Sequence, residues 1–271
     1  MSEYLVSSTD MTAIANAIRQ KDGTQTTMTV SDMPTRIQNI PTGGGGTDYM
    51  AQRVQGTLSS YVIPNTCTKI SSYAFASLPL TSITIPNTVT TISSSAFYNC
   101  KLTSVTIPSS VTNINGYCFS NNLLTSVTFD TNLYASFREG CFAENKNLTT
   151  LNNFSINIFK PEYSSATMPY IPISAFGYTA LVGDISLGNA AKVGMNGFNN
   201  SYSTGMLYVH LTQTDITQLS SSYDFYKYSS YYSFNFDHCR LVVPYSADHS
   251  ILTAYQTQWP TYSSIMIEEN N

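Results

Sequence analysis

Apolar residues recur along most of the chain in a fixed pattern, separated by Ser and Thr. The stretch LTSITIPNTVTTISSSAF covers residues 80–97, and LTSVTIPSSVTNINGYCF covers residues 102–119. The closing phenylalanines are Phe75, Phe97, Phe119, Phe142, Phe176 and Phe198. They follow one another at steps of 22, 22, 23, 34 and 22 residues. A period of roughly 20 to 29 residues is typical of a solenoid, in which each turn buries its apolar face against the next.

Each unit opens with the pattern L-x-x-I-x-I, often followed by Pro. The pattern begins at Leu58, Leu80, Leu102 and Leu124, and more loosely at Leu148, Val182, Met206 and His238. Ile83 and Ile85 alternate with Thr84, which predicts a strand with one face in the core and one in solvent. Pro86 cannot donate to a ladder and therefore ends the strand. We expect about eight parallel turns of a repeat solenoid that is mainly β-strand and loop.

These units resemble the BspA-like leucine-rich repeat. The similarity is strong from Leu58 to Phe142 and loose from Leu181 to Val209, and residues 153–172 do not align. RLVVPYSADHSILTAYQTQWPTYSSIMI, residues 240–267, resembles the closing unit of such arrays through Pro244, Tyr255 and Trp259. The resemblance implies a curved solenoid with a parallel sheet on its inner face.

The first forty residues have a different pattern, with apolar positions at helical spacing. MTAIANAIRQKDG and MTVSDMPTRIQNI predict two short amphipathic helices, whose apolar stripes are Met11, Ile14 and Ile18, and Met33, Ile37 and Ile40. Such a pair is too small to form an adequate core alone. The glycine-rich PTGGGGT, residues 41–47, predicts a flexible joint. We therefore divide the chain into a helical docking or oligomerisation segment (1–40), a hinge (41–47) and the solenoid (48–271).

Residues 4–40 are similar to the short N-terminal segment of many tail, baseplate and fibre proteins of bacteriophages and prophages. That similarity implies docking to phage tail or baseplate proteins, and by analogy with phage fibres it implies a trimer. The alternative is a helical cap on the open N-terminal edge of the solenoid.

Composition argues against several kinds of partner. Charged residues make up 10% of the chain and the net charge is −4, and the only charged residues between Gly56 and Phe129 are Lys69 and Lys101. Nucleic-acid and anionic-membrane surfaces need clustered Lys and Arg, so we expect neither partner. The N-terminal sequence lacks the features of a secretion signal, and no apolar run is long enough for membrane insertion.

The sequence contains no recognisable catalytic motif. The three histidines are His210, His238 and His249, and no nucleophile elbow, zinc-protease motif or phosphate-binding loop is present. The five cysteines are an odd number and include no C-x-x-C pair, and we interpret them as small buried hydrophobic residues. Cys118 and Cys141 occupy equivalent places in adjacent units, which leaves a disulfide between them as the alternative. We expect a protein that is not an enzyme and needs no cofactor or metal.

Binding is indicated near the C-terminal end of the array. The outward positions of the early strands are Ser and Thr, which we interpret as a spacer and scaffold. The later outward positions include Leu207 and Val242 together with four candidate ligand-binding residues: Asp184, Tyr208, His210 and Arg240. An aromatic insertion, residues 220–236, adds Tyr223, Tyr226, Tyr228, Tyr231 and Tyr232. Tyr and Ser are typical of adaptable binding loops, but packing on the solenoid explains these residues equally well.

Together these features predict a phage virion component, namely a tail fibre, baseplate or receptor-binding protein that attaches to a glycan or protein on the host surface. It would be made in the host cytoplasm. The alternative is a bacterial cell-surface adhesin or other protein-interaction module, and a hydrolase within the divergent repeats is a weaker third hypothesis.

Overall fold

The computed structural model describes residues 58–161, 166–225, 233–235 and 237–269. The chain divides into two units, Met1–Ser59 and Ser60–Asn271. Nearly all described residues belong to the second unit. The predicted docking segment, with Met11, Ile14, Ile18, Met33, Ile37 and Ile40, and the predicted hinge lie outside the described residues.

Short strands follow one another through the whole of this unit. In chain order they are β1 (Ser60–Val62), β2 (Lys69–Ile70), β3 (Ser82–Thr84), β4 (Thr91–Ile92), β5 (Ser104–Ile107), β6 (Asn113–Ile114), β7 (Ser126–Phe129), β8 (Ser136–Phe137), β9 (Thr150–Asn152), β10 (Tyr170–Ile171), β11 (Gly183–Ser186), β12 (Ala191–Val193), β13 (Leu207–His210), β14 (Tyr223–Phe225), β15 (Cys239–Val243) and β16 (Met266–Glu268). Each turn of the chain contributes one strand to each of two rows.

All strand pairs in both rows are parallel. The first row contains β1–β3, β5–β7–β9 and β11–β13–β15–β16, and the second row contains β2–β4–β6–β8 and β10–β12–β14. The register advances by one repeat, so that Ser60 pairs with Ser82 and Ser104 pairs with Ser126. This arrangement confirms the predicted repeat solenoid and its parallel strands.

The closing phenylalanines form a continuous stacked column through the core. Phe97 is fully buried, and its ring centroid lies 5.1 Å from those of both Phe75 and Phe119. The column continues through Phe142, Phe176 and Phe198 at spacings of 5.4, 5.7 and 5.5 Å. Parallel offset rings at these distances stabilise the core beyond their buried area.

The backbone before each column residue repeats as well. The residue two positions earlier has a positive φ in every turn: Tyr73, Ser95, Tyr117, Gly140, Ser174 and Asn196. Each column amide donates to the next turn, as in the Phe97 N–H to the Cys118 carbonyl at 2.8 Å. At Gly140 a side chain would also collide with Tyr117, because a Cβ there would lie 2.4 Å from its ring.

Buried asparagine side chains, three residues after a phenylalanine of the column, form hydrogen bonds with backbone groups of adjacent turns. Asn122 Nδ2 donates to the carbonyls of Phe97 and Phe119 at 2.8 and 3.0 Å, and its Oδ1 accepts from the Leu102 amide at 3.1 Å. Asn145 repeats this pattern one turn later. A buried amide side chain with both ends bonded fixes the spacing of two successive turns.

The long step between Phe142 and Phe176 corresponds to an insertion that remains packed on the solenoid. A 3₁₀ turn at Ile156–Ile158 buries two isoleucines, and Phe159 pairs with Ala135 in a parallel bridge. The Phe154 ring makes an edge contact with Phe176, at 6.2 Å. The second row resumes at β10.

The C-terminal unit closes the array. Its helices are α1 (Leu219–Ser222) and α2 (Ser250–Gln258), followed by a 3₁₀ helix at Pro260–Ile265 and by β16. Tyr255 and Trp259 are buried. Phe234 extends the aromatic column, 6.0 Å from Phe198.

All five cysteines are free. Cys100, Cys118, Cys141 and Cys239 are buried, in agreement with their interpretation as small hydrophobes. Cys67 is half-buried. Burial raises the pKa of the Cys100 thiol to about 11, which keeps it protonated and unreactive.

Candidate functional site

Three of the four predicted strand residues lie side by side on the first row. The register of β11, β13 and β15 aligns Asp184 with Tyr208 and Tyr208 with Arg240. These positions correspond to Ser82, Ser104 and Ser126 in the early turns. The same sheet face therefore changes from short hydroxyls to a carboxylate, a phenol and a guanidinium.

These side chains differ in exposure. The Asp184 side chain is 72% exposed and Tyr208 is 37% exposed, so both reach solvent. Arg240 is half-buried, and its Nη1 donates to the Cys239 carbonyl at 2.8 Å. An aromatic ring and an anchored guanidinium are the residue types that contribute most to protein interfaces.

His210 bridges two carboxylates on this face. Its Nε2 lies 2.8 Å from Asp184 Oδ1, and its Nδ1 lies 3.2 Å from Glu269 Oε1. Asp184 is on β11 and Glu269 follows β16, so the three residues connect both edges of the four-stranded sheet. We call Asp184, His210 and Glu269 the carboxylate–histidine bridge.

The bridge favours the protonated imidazole. A carboxylate only accepts hydrogen bonds, so both ring nitrogens must carry hydrogen for both contacts to form. Burial, the largest single influence, lowers the pKa of His210, but the hydrogen bonds to Asp184 and Glu269 and their negative charges together raise it above its ordinary value. The bridge thus holds one positive charge between two negative ones.

The structure corrects several predicted positions. Tyr223 is 2% exposed, and its hydroxyl donates to the Gly188 carbonyl while its ring contacts Tyr255 and Trp259. It is a core residue and not a ligand contact. Leu207 and Val242 are also buried, although their places in the repeat predicted outward side chains. Tyr226, Tyr228, Tyr231 and Tyr232 lie outside the described residues.

Sequence reasoning missed Glu269. Nothing in the repeat pattern selects it, because β16 joins the sheet through the closing unit and not through an L-x-x-I-x-I motif. Its neighbour Glu268 points inward and is bonded to His249 Nδ1. The one sequence feature that could have pointed to Glu269 is the pair of adjacent acidic residues that it forms with Glu268.

The geometry is suited to binding and not to proton transfer. Both nitrogens of His210 are engaged with carboxylates, so the ring has no free position from which to act as a general base toward a nucleophile. Within the described ranges no group of three His, Cys, Asp or Glu side chains is arranged to hold a metal ion. The described residues also contain no helix long and apolar enough to cross a membrane.

The fold and the repeated motif define a leucine-rich-repeat solenoid. The family model of the BspA type leucine rich repeat region matches residues 54–165 in six copies, so this part of the chain is similar to that family.

The comparisons with curated proteins and with solved structures add little to this similarity. No curated protein matches the sequence. The solved structures that resemble the chain include a leucine-rich repeat protein from Bacteroides ovatus ATCC 8483, at 16% identity and a TM-score of 0.28. The alignment covers 72% of this chain and 65% of that protein.

Proposed function

We propose that the protein is a non-enzymatic component of a bacteriophage virion, a tail fibre, baseplate or receptor-binding protein that attaches to a protein or glycan on the host-cell surface. Residues 1–40 dock it to the tail or baseplate, and the first-row face of β11, β13 and β15 contacts the host. The docking role is supported by the similarity of residues 4–40 to N-terminal segments of phage tail proteins.

The observation that carries the binding role is the change of side chains along one sheet face. The early turns present Ser and Thr at positions where the later turns present Asp184, Tyr208 and Arg240. The fold does not require this change, because Ser104 and Ser126 occupy the same places in equally regular strands. Side chains that the scaffold does not need are best explained by a partner.

The test replaces the two central side chains. We expect Tyr208→Ala combined with Arg240→Ala to weaken adsorption to host cells at least about thirtyfold, because loss of one interface hot spot typically costs about 2 kcal/mol. Ser104→Ala combined with Ser126→Ala, at the equivalent positions of two neighbouring early strands, is the matched control. Unchanged adsorption by a folded Tyr208/Arg240 variant would exclude this face as the attachment site.

A bacterial surface adhesin is the second candidate. It is favoured by the BspA-type repeats of residues 54–165, which are an interaction scaffold and carry no requirement for a virion. Purified phage particles distinguish the two hypotheses, since only the virion protein is found in them by mass spectrometry.

A further inference from the structure

A cleft of about 450 Å³ opens beside the second row of strands, where the insertion leaves the solenoid. It lies on a different strand row from the carboxylate–histidine bridge. Ser94 and Asn115 line it from two early turns, and Phe137, Arg138 and Pro172 line it from the turns that flank the insertion.

One rung of the backbone ladder is missing beside the cleft. In the other turns the residue four positions before the column phenylalanine donates its amide to the preceding turn, as Ser93, Asn115, Arg138 and Gly194 do at 2.9 to 3.0 Å. The equivalent residue at the insertion is Pro172, which has no amide hydrogen. The corresponding bond to the Phe137 carbonyl cannot form there. Flanking bonds at Lys160 to Ala135 and Gly140 to Ile173, both 2.9 Å, hold the opening in place.

One wall of the cleft is polar and carries balanced charge. Ser94, Arg138 and Glu139 are exposed and Asn115 is half-buried. The Glu139 carboxylate accepts a hydrogen bond from the Tyr117 hydroxyl at 2.6 Å, which holds it in place. One guanidinium and one carboxylate cancel, and the wall offers both donors and acceptors. Such a wall suits hydroxyl groups, each of which donates and accepts, better than it suits an anion.

The other part of the lining is apolar. Phe137 is 4% exposed, Pro172 is buried, and Tyr170 and Ile173 are half-buried. Tyr170 is one of the lining residues, and the Lys192 ammonium lies 5.6 Å from the centre of its ring. A ligand for this site must therefore combine an apolar face with a rim of hydroxyls.

We propose that the cleft is a binding site for a neutral hexose unit, such as one residue of a cell-surface glycan. A pyranose ring has an apolar C–H face and a hydroxyl rim, which match the two walls. The volume falls within the range of roughly 300 to 1,000 Å³ that is usual for small-molecule sites. This site is additional to the attachment face, and neither depends on the other.

Saturation-transfer NMR and calorimetry with the full chain test the proposal, using methyl glucoside, methyl galactoside and methyl mannoside as probes and glucuronate as the charged comparison. We expect one neutral hexoside to bind with a Kd on the order of 1 mM, as a ligand of about a dozen heavy atoms allows. Glucuronate is expected to bind at least about fivefold more weakly.

Two variants locate the site. Ser94→Trp fills the cleft and should weaken hexoside binding at least about tenfold, whereas Ser72→Trp, at the same exposed position one turn earlier, should leave it unchanged. Arg138→Gln, a milder change, should weaken it about threefold or more. Matching unfolding curves show that each variant is folded. The proposal is overturned if no hexoside binds, if glucuronate binds as well as the neutral sugars, or if binding survives both Ser94→Trp and Arg138→Gln. The Tyr208/Arg240 variant should bind the hexoside normally, which separates this test from the adsorption assay.

Discussion

At the scale of single residues, the fold depends on a few positions that repeat once per turn. Phe97 has no exposed surface and contacts a ring on either side, whereas Ser82, fifteen residues earlier, lies exposed on β3. The spacing of phenylalanines in the sequence was sufficient to predict the column. Phe234 was missed because it follows Phe198 by 36 residues, outside the period.

Phe97→Ala should lower the free energy of unfolding by about 3 to 5 kcal/mol, because it leaves a cavity in the middle of the stacked column. Ser82→Ala should change it by about 0.5 kcal/mol or less. Equilibrium urea unfolding followed by circular dichroism measures both. Equal losses from the two substitutions would show that the register assigned to the repeat is wrong.

Asn122 is the second residue with a large predicted effect. Asn122→Ala should destabilise the protein by about 1 to 3 kcal/mol, because the substitution leaves the Phe97 carbonyl and the Leu102 amide without their hydrogen-bond partner. Asn113→Ala is the control, since Asn113 is exposed on β6 and bonds only to its neighbour Thr112. A loss at Asn122 no greater than that at Asn113, measured in the same urea titration, would contradict the structural role of the buried amide.

At the scale of elements, the four-stranded end of the first row is distinguished by a histidine that contacts carboxylates from both of its edges. Asp184, Tyr208, His210 and Arg240 were predicted to lie on adjacent strands from the repeat alone, and the register agrees. Their hydrogen bonds were not predictable. The contact of His210 with Glu269 depends on β16, whose place in the sheet is set by the packing of α2 and Trp259 and not by a motif.

The carboxylate–histidine bridge predicts a dependence of stability on pH. Because the pKa of His210 is raised in the folded state, its contribution is fully present below the ordinary value of about 6.5 and is lost as the pH rises through the higher folded value. The difference in unfolding free energy between the protein and His210→Gln should therefore be largest below pH 6.5 and decrease above it. We expect about 1 kcal/mol or less, as for other partly exposed ion pairs.

Urea titrations at several pH values between about 5.5 and 9 measure this difference. Tyr208 and Arg240 share the face, so they are kept unchanged in both proteins. His238→Gln is the control, because His238 lies outside the bridge. A difference for His210→Gln that is constant with pH, or that grows as the pH rises, would contradict the bridge.

At the scale of the whole molecule, the sequence predicted the architecture well but the positions of the candidate binding residues only in part. Architecture depends on local patterns that recur, such as L-x-x-I-x-I and the following phenylalanine. Tyr223 was wrongly predicted as a ligand contact, because the aromatic insertion that contains it does not follow the repeat pattern. Tyr223 and Phe225 lie in the core against Trp259. The aromatic composition of the insertion could not by itself distinguish packing residues from binding residues.

Removal of residues 1–46 tests the proposal that the N-terminal segment docks the protein while the solenoid contacts the host. The solenoid should remain folded and monomeric, because its column and ladders lie within residues 60–269, while the full chain should be oligomeric, as a trimer. Light scattering after gel filtration measures this, and mass spectrometry of purified particles measures incorporation. Normal incorporation of the truncated protein would contradict docking through the N-terminal segment.

The parallel register has a consequence for what the repeats contribute. Each turn of about 22 residues moves the array forward by one strand spacing, about 4.8 Å, whereas a helix of that length would extend about 33 Å. To span a given distance, the solenoid therefore needs about seven times as many residues as a single helix. The hydroxyl-rich turns therefore enlarge the sheet face and hardly lengthen the array. Gain or loss of a single turn would change the area of that face but would move its outer end by less than the width of one side chain.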